Sequence, residues 1–333
     1  MRIARLFLAL ALFAAVAHAE DGRIGLIDAE IFGIDRSHSY LGFTIEFLGM
    51  SKVHGTFNDY TATILYDDAK PERSSVTLVI DAKSIDTHGE MRDKDLQSDK
   101  WFDAEKYPQI VFQSTRIERK GPEQFVVHGN LTMKGVTRPI AIPMARTVPR
   151  APDTAWGNIR IGGTGAVTIH RHDFGVNGPE FWEKSLADSV AIEIDLLGNR
   201  PNYDRWNFQS KEKPSIGEVL AKTVETSGGA AAAGQFRELR AQQAEAYNFA
   251  PQQVGTLILR LVQHRKLDDA LALLQAAVEA YPDEAGFHAR LGEVYATMGD
   301  RTHAIAAYEK AQALNPMGTE AKEMLRRLTR NDS

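Results

Sequence analysis

The chain has 333 residues, 43% of them hydrophobic and 25% charged, with a formal net charge of −5 and no cysteine. This length favours two domains over one, and the composition is that of globular protein rather than disordered chain. An acidic balance without a basic block excludes phosphate-led nucleic-acid binding, and zero cysteine removes disulfides, thiol catalysis, thiolate metal sites and the acylated cysteine of a lipoprotein.

The N-terminus has the form of a cleavable secretory signal. Arg2 and Arg5 precede an apolar run from Leu6 to Val16, and Ala17-His18-Ala19 offers a small-x-small cleavage site, so residues 1–19 are expected to be removed. The run is too short to span a bilayer, and no later stretch reads as a transmembrane segment. Cleavage leaves 37 basic and 44 acidic residues, a mature charge of −7.

Residues 20–199 form the first unit, and residues 31–199 have the period of strands. Leu41, Phe43, Ile45 and Phe47 alternate with Thr44 and Glu46, and Val76, Leu78, Ile80 and Ala82 alternate with Thr77 and Asp81. The pattern returns at Ile110 and Phe112, at Phe125, Val127, Leu131 and Met133, and at Val190, Ile192, Ile194 and Leu196. Such alternation turns one face to a core and the other to water. Lys134-Gly135 predicts a tight hairpin, because glycine tolerates positive φ. Only Arg92–Tyr107 breaks the pattern, with Leu96, Trp101 and Phe102 at helical spacing, and it is expected as a short helix over one end of the unit. Seven or eight short strands in about 170 residues predict an all-β barrel or sandwich.

Residues 200–234 are expected as a linker, with the low-complexity run Ser227-Gly228-Gly229-Ala230 a mobile link or weak helix; residues 215–248 also admit a degenerate helix pair. Residues 235–330 have a helical period and an internal repeat of 34 residues. Leu257 and Leu291, Ala270 and Ala304, Leu274 and Tyr308, Ala277 and Ala311, and Pro282 and Pro316 are related by it. This resembles tetratricopeptide repeats, with Ile258 and Leu261 standing where Gly and Tyr are usual. The resemblance implies an all-α repeat region that takes a protein partner, with the short array leaning on the first unit or self-associating; a stabilising appendage with no partner is the other reading.

The first unit carries a longer set of ordered motifs: Phe32-Gly33-Ile34-Asp35, His38-Ser39, Leu48-Gly49, Val53-His54-Gly55, Ser84-Ile85-Asp86-Thr87, Arg92-Asp93, Trp101-Phe102-Asp103, Lys106-Tyr107-Pro108, Gly129-Asn130-Leu131-Thr132, Lys134-Gly135-Val136-Thr137 and Arg171 with Asp173-Phe174-Gly175-Val176. Over almost its whole length this unit resembles the YceI-like polyisoprenoid-binding family. The resemblance implies an eight-stranded antiparallel lipocalin-like barrel with an internal tunnel. It also implies a periplasmic location and an amphiphilic lipid ligand, either isoprenoid-quinone-like or fatty-acid-like. The expected tunnel lining is Phe43, Ile45, Phe47, Leu78, Ile80, Phe112, Ile192 and Ile194; parity alone is equally compatible with these side chains filling a dry core. The family often has His at the positions of Phe47 and Asp95. If those histidines touch a head group, this chain takes a less polar one; if they tie loops, the change is neutral.

Catalytic and metal chemistry is not expected. His170-Arg171-His172 has metal-like spacing without a completing cluster, and reads as surface histidines around a structural arginine. Arg92-Asp93 reads as an anchor for the helical segment, and His38 near Asp35 as a structural histidine. Gly162-Gly163-Thr164-Gly165 is expected between strands and is a poor phosphate loop. Two other readings stand beside lipid binding: an envelope interaction protein with a filled barrel, and a lipid-modifying enzyme, for which no catalytic constellation is visible.

Overall fold

The computed structural model describes residues 29–67, 70–206 and 212–329; the expected signal peptide lies outside them. The strands follow one another as a meander. β1 (Glu30–Ile34) and β2 (Tyr40–Phe47) are halves of one strand broken by a 3-10 turn, and β3 (Ser51–Phe57) and β4 (Tyr60–Tyr66) are halves of the next. β5 (Ser75–Asp81) continues through a turn into the short β6 (Ile85–Asp86). β7 (Gln109–Arg119), β8 (Gln124–Met133), β9 (Val136–Pro152), β10 (Ile159–His170) and β11 (Leu186–Arg200) complete the set. All pairings are antiparallel, and the ring β1-β4-β5-β7-β8-β9-β10-β11 closes through β1 on β11. With each broken strand counted once, this is the expected closed eight-stranded antiparallel barrel.

Local chemistry fixes the register. Lys134 and Gly135 both have positive φ, 48° and 77°, and join β8 to β9 in the predicted tight hairpin. The glycine run 162–165 lies inside β10, not between strands: β10 bulges against β9 at Gly162 and Gly163, and a Cβ on Gly165 would overlap the Met144 side chain. β10 pairs with β9 only from Ile159 to Gly165, and beyond that the strands part. Pro139 and Pro143 lie on the stretch of β9 that pairs with β8 alone, where no β10 strand asks for the N–H they lack.

Asp35, at the break between β1 and β2, ties that break to β10. It accepts from Ser37 (Oγ, 2.6 Å) and Arg160 (Nη1, 3.0 Å) and meets His38 Nδ1 at 3.0 Å. Burial raises its pKa, but the hydrogen bonds from Ser37, His38 and Arg160 outweigh this and lower it to about 2. The ionised form therefore stabilises the fold above pH 4, and that contribution is lost as pH falls through about 2. Asp35→Asn should cost about 2 kcal/mol at neutral pH and flatten the acid limb of stability between roughly pH 4 and 2. Denaturant melts at pH 7 and pH 3 check both.

The helical half begins inside the expected linker, where the alternative reading of residues 215–248 puts a helix pair. α2 (Ile216–Gln242) occupies most of the expected linker, and Gly228, at φ 81° and ψ 172°, splits it into two helical arms. The glycine–alanine run is a close-packing surface: Ala232 and Ala233 are buried, and a Cβ on Gly229 would overlap the Asp269 backbone. There follow α3 (Pro251–Gln263), α4 (Leu267–Ala280), α5 (Ala285–Thr297), α6 (Arg301–Leu314) and α7 (Thr319–Thr329). The first residues of α3, α5 and α7 are 34 apart, as are those of α4 and α6. No helix of the described residues is long and apolar enough to cross a membrane.

α7 lies on the outer face of β4 and β5. Alternation alone assigns that face of β5 to water, but Thr77 is fully buried. Thr63 Oγ1 meets Thr319 Oγ1 at 2.9 Å, Ser75 Oγ donates to Glu323 at 2.5 Å, and Thr77 donates to the same carboxylate. Arg326 donates to Glu323 (Nη2, 2.6 Å) and to the carbonyl of Ser114 on β7. A hydroxyl row on the strands thus meets a carboxylate on the helix.

Candidate functional site: the barrel interior

The two ends of the barrel differ in kind. One is closed by side chains from α1 (Glu90–Gln97), the turns after it and the β10–β11 connection. Trp101, Phe174 and Val176 are buried there, Phe57 packs edge-on against Phe102 (5.9 Å between centroids), and Phe47 against Trp182 (5.8 Å). Arg92 and Asp93 do not pair with each other. Arg92 Nε donates to Thr87 Oγ1 (2.7 Å) and Asp93 accepts from the Thr87 N–H (2.9 Å), which anchors α1. Arg171 is buried and holds this plug through backbone carbonyls, with Nε on Ala187 (3.0 Å) and Nη1 on Val176 (3.0 Å) and Asn177 (2.6 Å). Asp173 is exposed.

Behind the plug lies a cavity of about 250 Å³. The inward rows of the strands form its wall, including Leu41 and Phe43 of β2, Leu78 and Ile80 of β5, Ile110 and Phe112 of β7, and Ile192 and Ile194 of β11. On β8 and β9 the wall extends from Met133, at the hairpin, to Arg146. Ten residues of β9 separate Val136 from Arg146, about 33 Å of strand. A space of that volume spread over such a length is narrow and suits one extended chain. It exceeds the roughly 150 Å³ that holds a benzene molecule in an engineered dry cavity.

Six of the eight expected lining residues stand on this wall: Phe43, Leu78, Ile80, Phe112, Ile192 and Ile194. Ile45 and Phe47 lie outside it. Both lie toward the plugged end of β2, where Phe47 packs on Trp182. Asp95 is off the wall too, accepting from Trp101 Nε1 at 2.9 Å. Both positions where the family often has His therefore fasten the plug.

The opposite end is polar. Arg146 follows Ile140, Ile142 and Met144 on the inward row of β9, and it is the one charged residue on the wall among the described residues. Its Nη1 donates to Tyr66 Oη at 2.7 Å, and Nε and Nη2 grip Glu123 at 2.5 and 3.0 Å. β4 and β9 stand opposite each other in the ring, so the bond to Tyr66 crosses the lumen. The Glu123 carboxylate holds the Arg146 guanidinium well above its ordinary pKa, with Tyr66 adding to this, and Arg146 in turn lowers Glu123. Ser74 completes the polar set, its Oγ accepting from the Asp67 N–H at 3.0 Å. Further out, Glu30 of β1 pairs with Arg150 of β9 and Arg200 of β11, and the hydrogen bond from Arg150 lowers its pKa despite burial. The expected lining contained neither Arg146 nor Tyr66, although each continues an apolar row at period 2.

His170 and His172 each turn Nδ1 to Asp188, at 3.0 and 3.1 Å. No group of three or more His, Cys, Asp or Glu among the described residues is arranged to hold a metal ion.

The YceI-like domain family matches residues 32–197. A UPF0312 protein of Shewanella baltica is 39% identical over 169 residues, covering 49% of this chain and 83% of that protein. A UPF0312 protein of Pseudomonas savastanoi is 36% identical over 156 residues, 47% of this chain and 80% of its own. Among solved structures, Burkholderia cenocepacia BcnA is similar at 27% identity, covering 49% of this chain and 98% of that one with a TM-score of 0.45.

Proposed function

The chain belongs to the YceI-like family through its barrel, and from that premise we propose that it binds an amphiphilic lipid with the hydrocarbon chain inside the barrel. The observation that carries this reading is the cavity itself. Its wall is apolar from the aromatic plug to Met144, and polar side chains enter only at the far end. Burial of a methylene contributes roughly 0.8 kcal/mol, so about ten methylenes supply close to 8 kcal/mol before the costs of association. Isoprenoid-quinone-like and fatty-acid-like chains both meet that description. The role is binding or carriage without chemistry on the ligand.

The same reading places the mature protein in the periplasm, which the signal-like residues 1–19 support. The helical half is proposed to be a tetratricopeptide array, supported by the 34-residue spacing of its helices. With α7 committed to the barrel, a protein partner would meet the faces that α7 leaves open.

Native mass spectrometry of the full chain, purified without detergent, tests the proposal. The expected result is a species heavier than the polypeptide by the mass of one lipid, converted to the bare mass by organic extraction and restored by adding a long-chain amphiphile. A bare mass throughout, with no uptake of added lipid, would remove the proposal in favour of a filled-barrel interaction protein.

A further inference from the structure

We propose that the cavity selects lipids with an anionic head group, and that Arg146 is the residue that makes the selection. This rests on the lipid-binding reading and goes beyond it in fixing the charge of the ligand. The polar side chains on the wall are Arg146, Tyr66 and Ser74; all three carry N–H or O–H donors, and no carboxylate stands among them. They cluster at one level, since Leu65 pairs with Ser75 and Arg146 bonds to Tyr66. A chain entering with its tail toward the plug brings its head to this level.

A guanidinium on the inward row of a strand is costly to desolvate and persists only when paired. Here the pair is Glu123, on the β7–β8 hairpin, whose side chain is 49% exposed. Its two oxygens take the planar fork that suits any carboxylate or phosphate. Glu123 therefore occupies the position of a head group, tethered to a solvent-exposed hairpin. Tyr66 and Glu123 engage three of the five N–H donors of Arg146. An anionic head reaches this fork by displacing Glu123 into water, where that carboxylate is readily solvated. A neutral quinone or alcohol cannot replace Glu123 at comparable strength, because hydrogen bonds between charged partners are roughly twice as strong as neutral ones.

The test compares three probes of one chain length, dodecanoate, dodecyl phosphate and dodecanol, titrated into extracted full-length protein at neutral pH. Wild type should bind the two anions about tenfold or more tightly than dodecanol, and the ratio between the anions reports whether carboxylate or phosphate fits better. Arg146→Gln should abolish the preference, and dodecanol that still binds it shows that the variant folds. Glu123→Gln removes the competitor and should tighten the anions without moving dodecanol. Equal affinity of wild type for anion and alcohol, or a preference that survives in Arg146→Gln, would overturn the inference and leave lipid binding intact. Failure of all three probes to bind would defeat lipid binding itself.

Discussion

Arg171→Ala should be among the most damaging single substitutions in the barrel, costing about 3 kcal/mol or more. Its guanidinium is buried, and that burial pushes its pKa down. Among the described residues no carboxylate is hydrogen-bonded to it; instead Ala187, Val176 and Asn177 offer carbonyls at 2.6 to 3.0 Å, and Leu186 a longer one at 3.4 Å. These groups belong to the two segments that close the plugged end, the start of β11 and the loop after β10. Alanine takes this donor from the buried carbonyl of Val176 and from the part-buried ones of Leu186, Ala187 and Asn177 at once, each costing about 1–3 kcal/mol unless water reaches it. Arg171→Lys should recover little, because an ammonium cannot reproduce a planar fork that reaches two segments. Urea unfolding of the two variants measures this. A loss below about 1 kcal/mol for alanine would show that the plug does not depend on this arginine.

Glu323→Ala should cost a similar amount, about 3–5 kcal/mol, the range for removing one partner of a buried ion pair. The Glu323 side chain is 0% exposed and gathers Ser75, Thr77 and Arg326. Without it the two hydroxyls lose their acceptor, and the Arg326 charge keeps only the Ser114 carbonyl between α7 and the barrel. The outer row of β5 engages Glu323 while its inner row, Val76, Leu78 and Ile80, lines the cavity. Amide exchange in Ser75–Asp81 should therefore speed up along with that of α7. Exchange that accelerates in α7 alone would show that the helix caps the strand without bracing it.

These two residues mark the limits of what the sequence reveals. Strand alternation exposes the barrel because the side-chain period is 2 and one face is apolar; by the same rule Arg146 and Tyr66 are legible as polar ends of inward rows, once those rows are followed past their last apolar member. Arg171 is legible only as a motif residue, since backbone carbonyls as partners leave no trace in side-chain pattern. The covering of β4 and β5 is harder still. Thr61, Thr63, Ser75 and Thr77 look like a solvent face, and what buries them is a helix some 250 residues away whose carboxylate looks like any surface glutamate. Gly228 and the alanines after it mislead in the opposite direction. Small residues signal looseness in isolation and close approach in a packed helix pair, and composition does not distinguish the two.

Isotope-filtered NMR on the full chain bound to a ¹³C-labelled dodecanoate shows whether a hydrocarbon chain occupies the barrel lumen. Intermolecular contacts are expected from the chain methylenes to the methyl groups of Leu78, Ile80, Ile192 and Ile194, with the carboxyl end nearest Tyr66 and Arg146. Contacts confined to the helical half or to the outer surface of the barrel, with those four methyl groups silent, would contradict this.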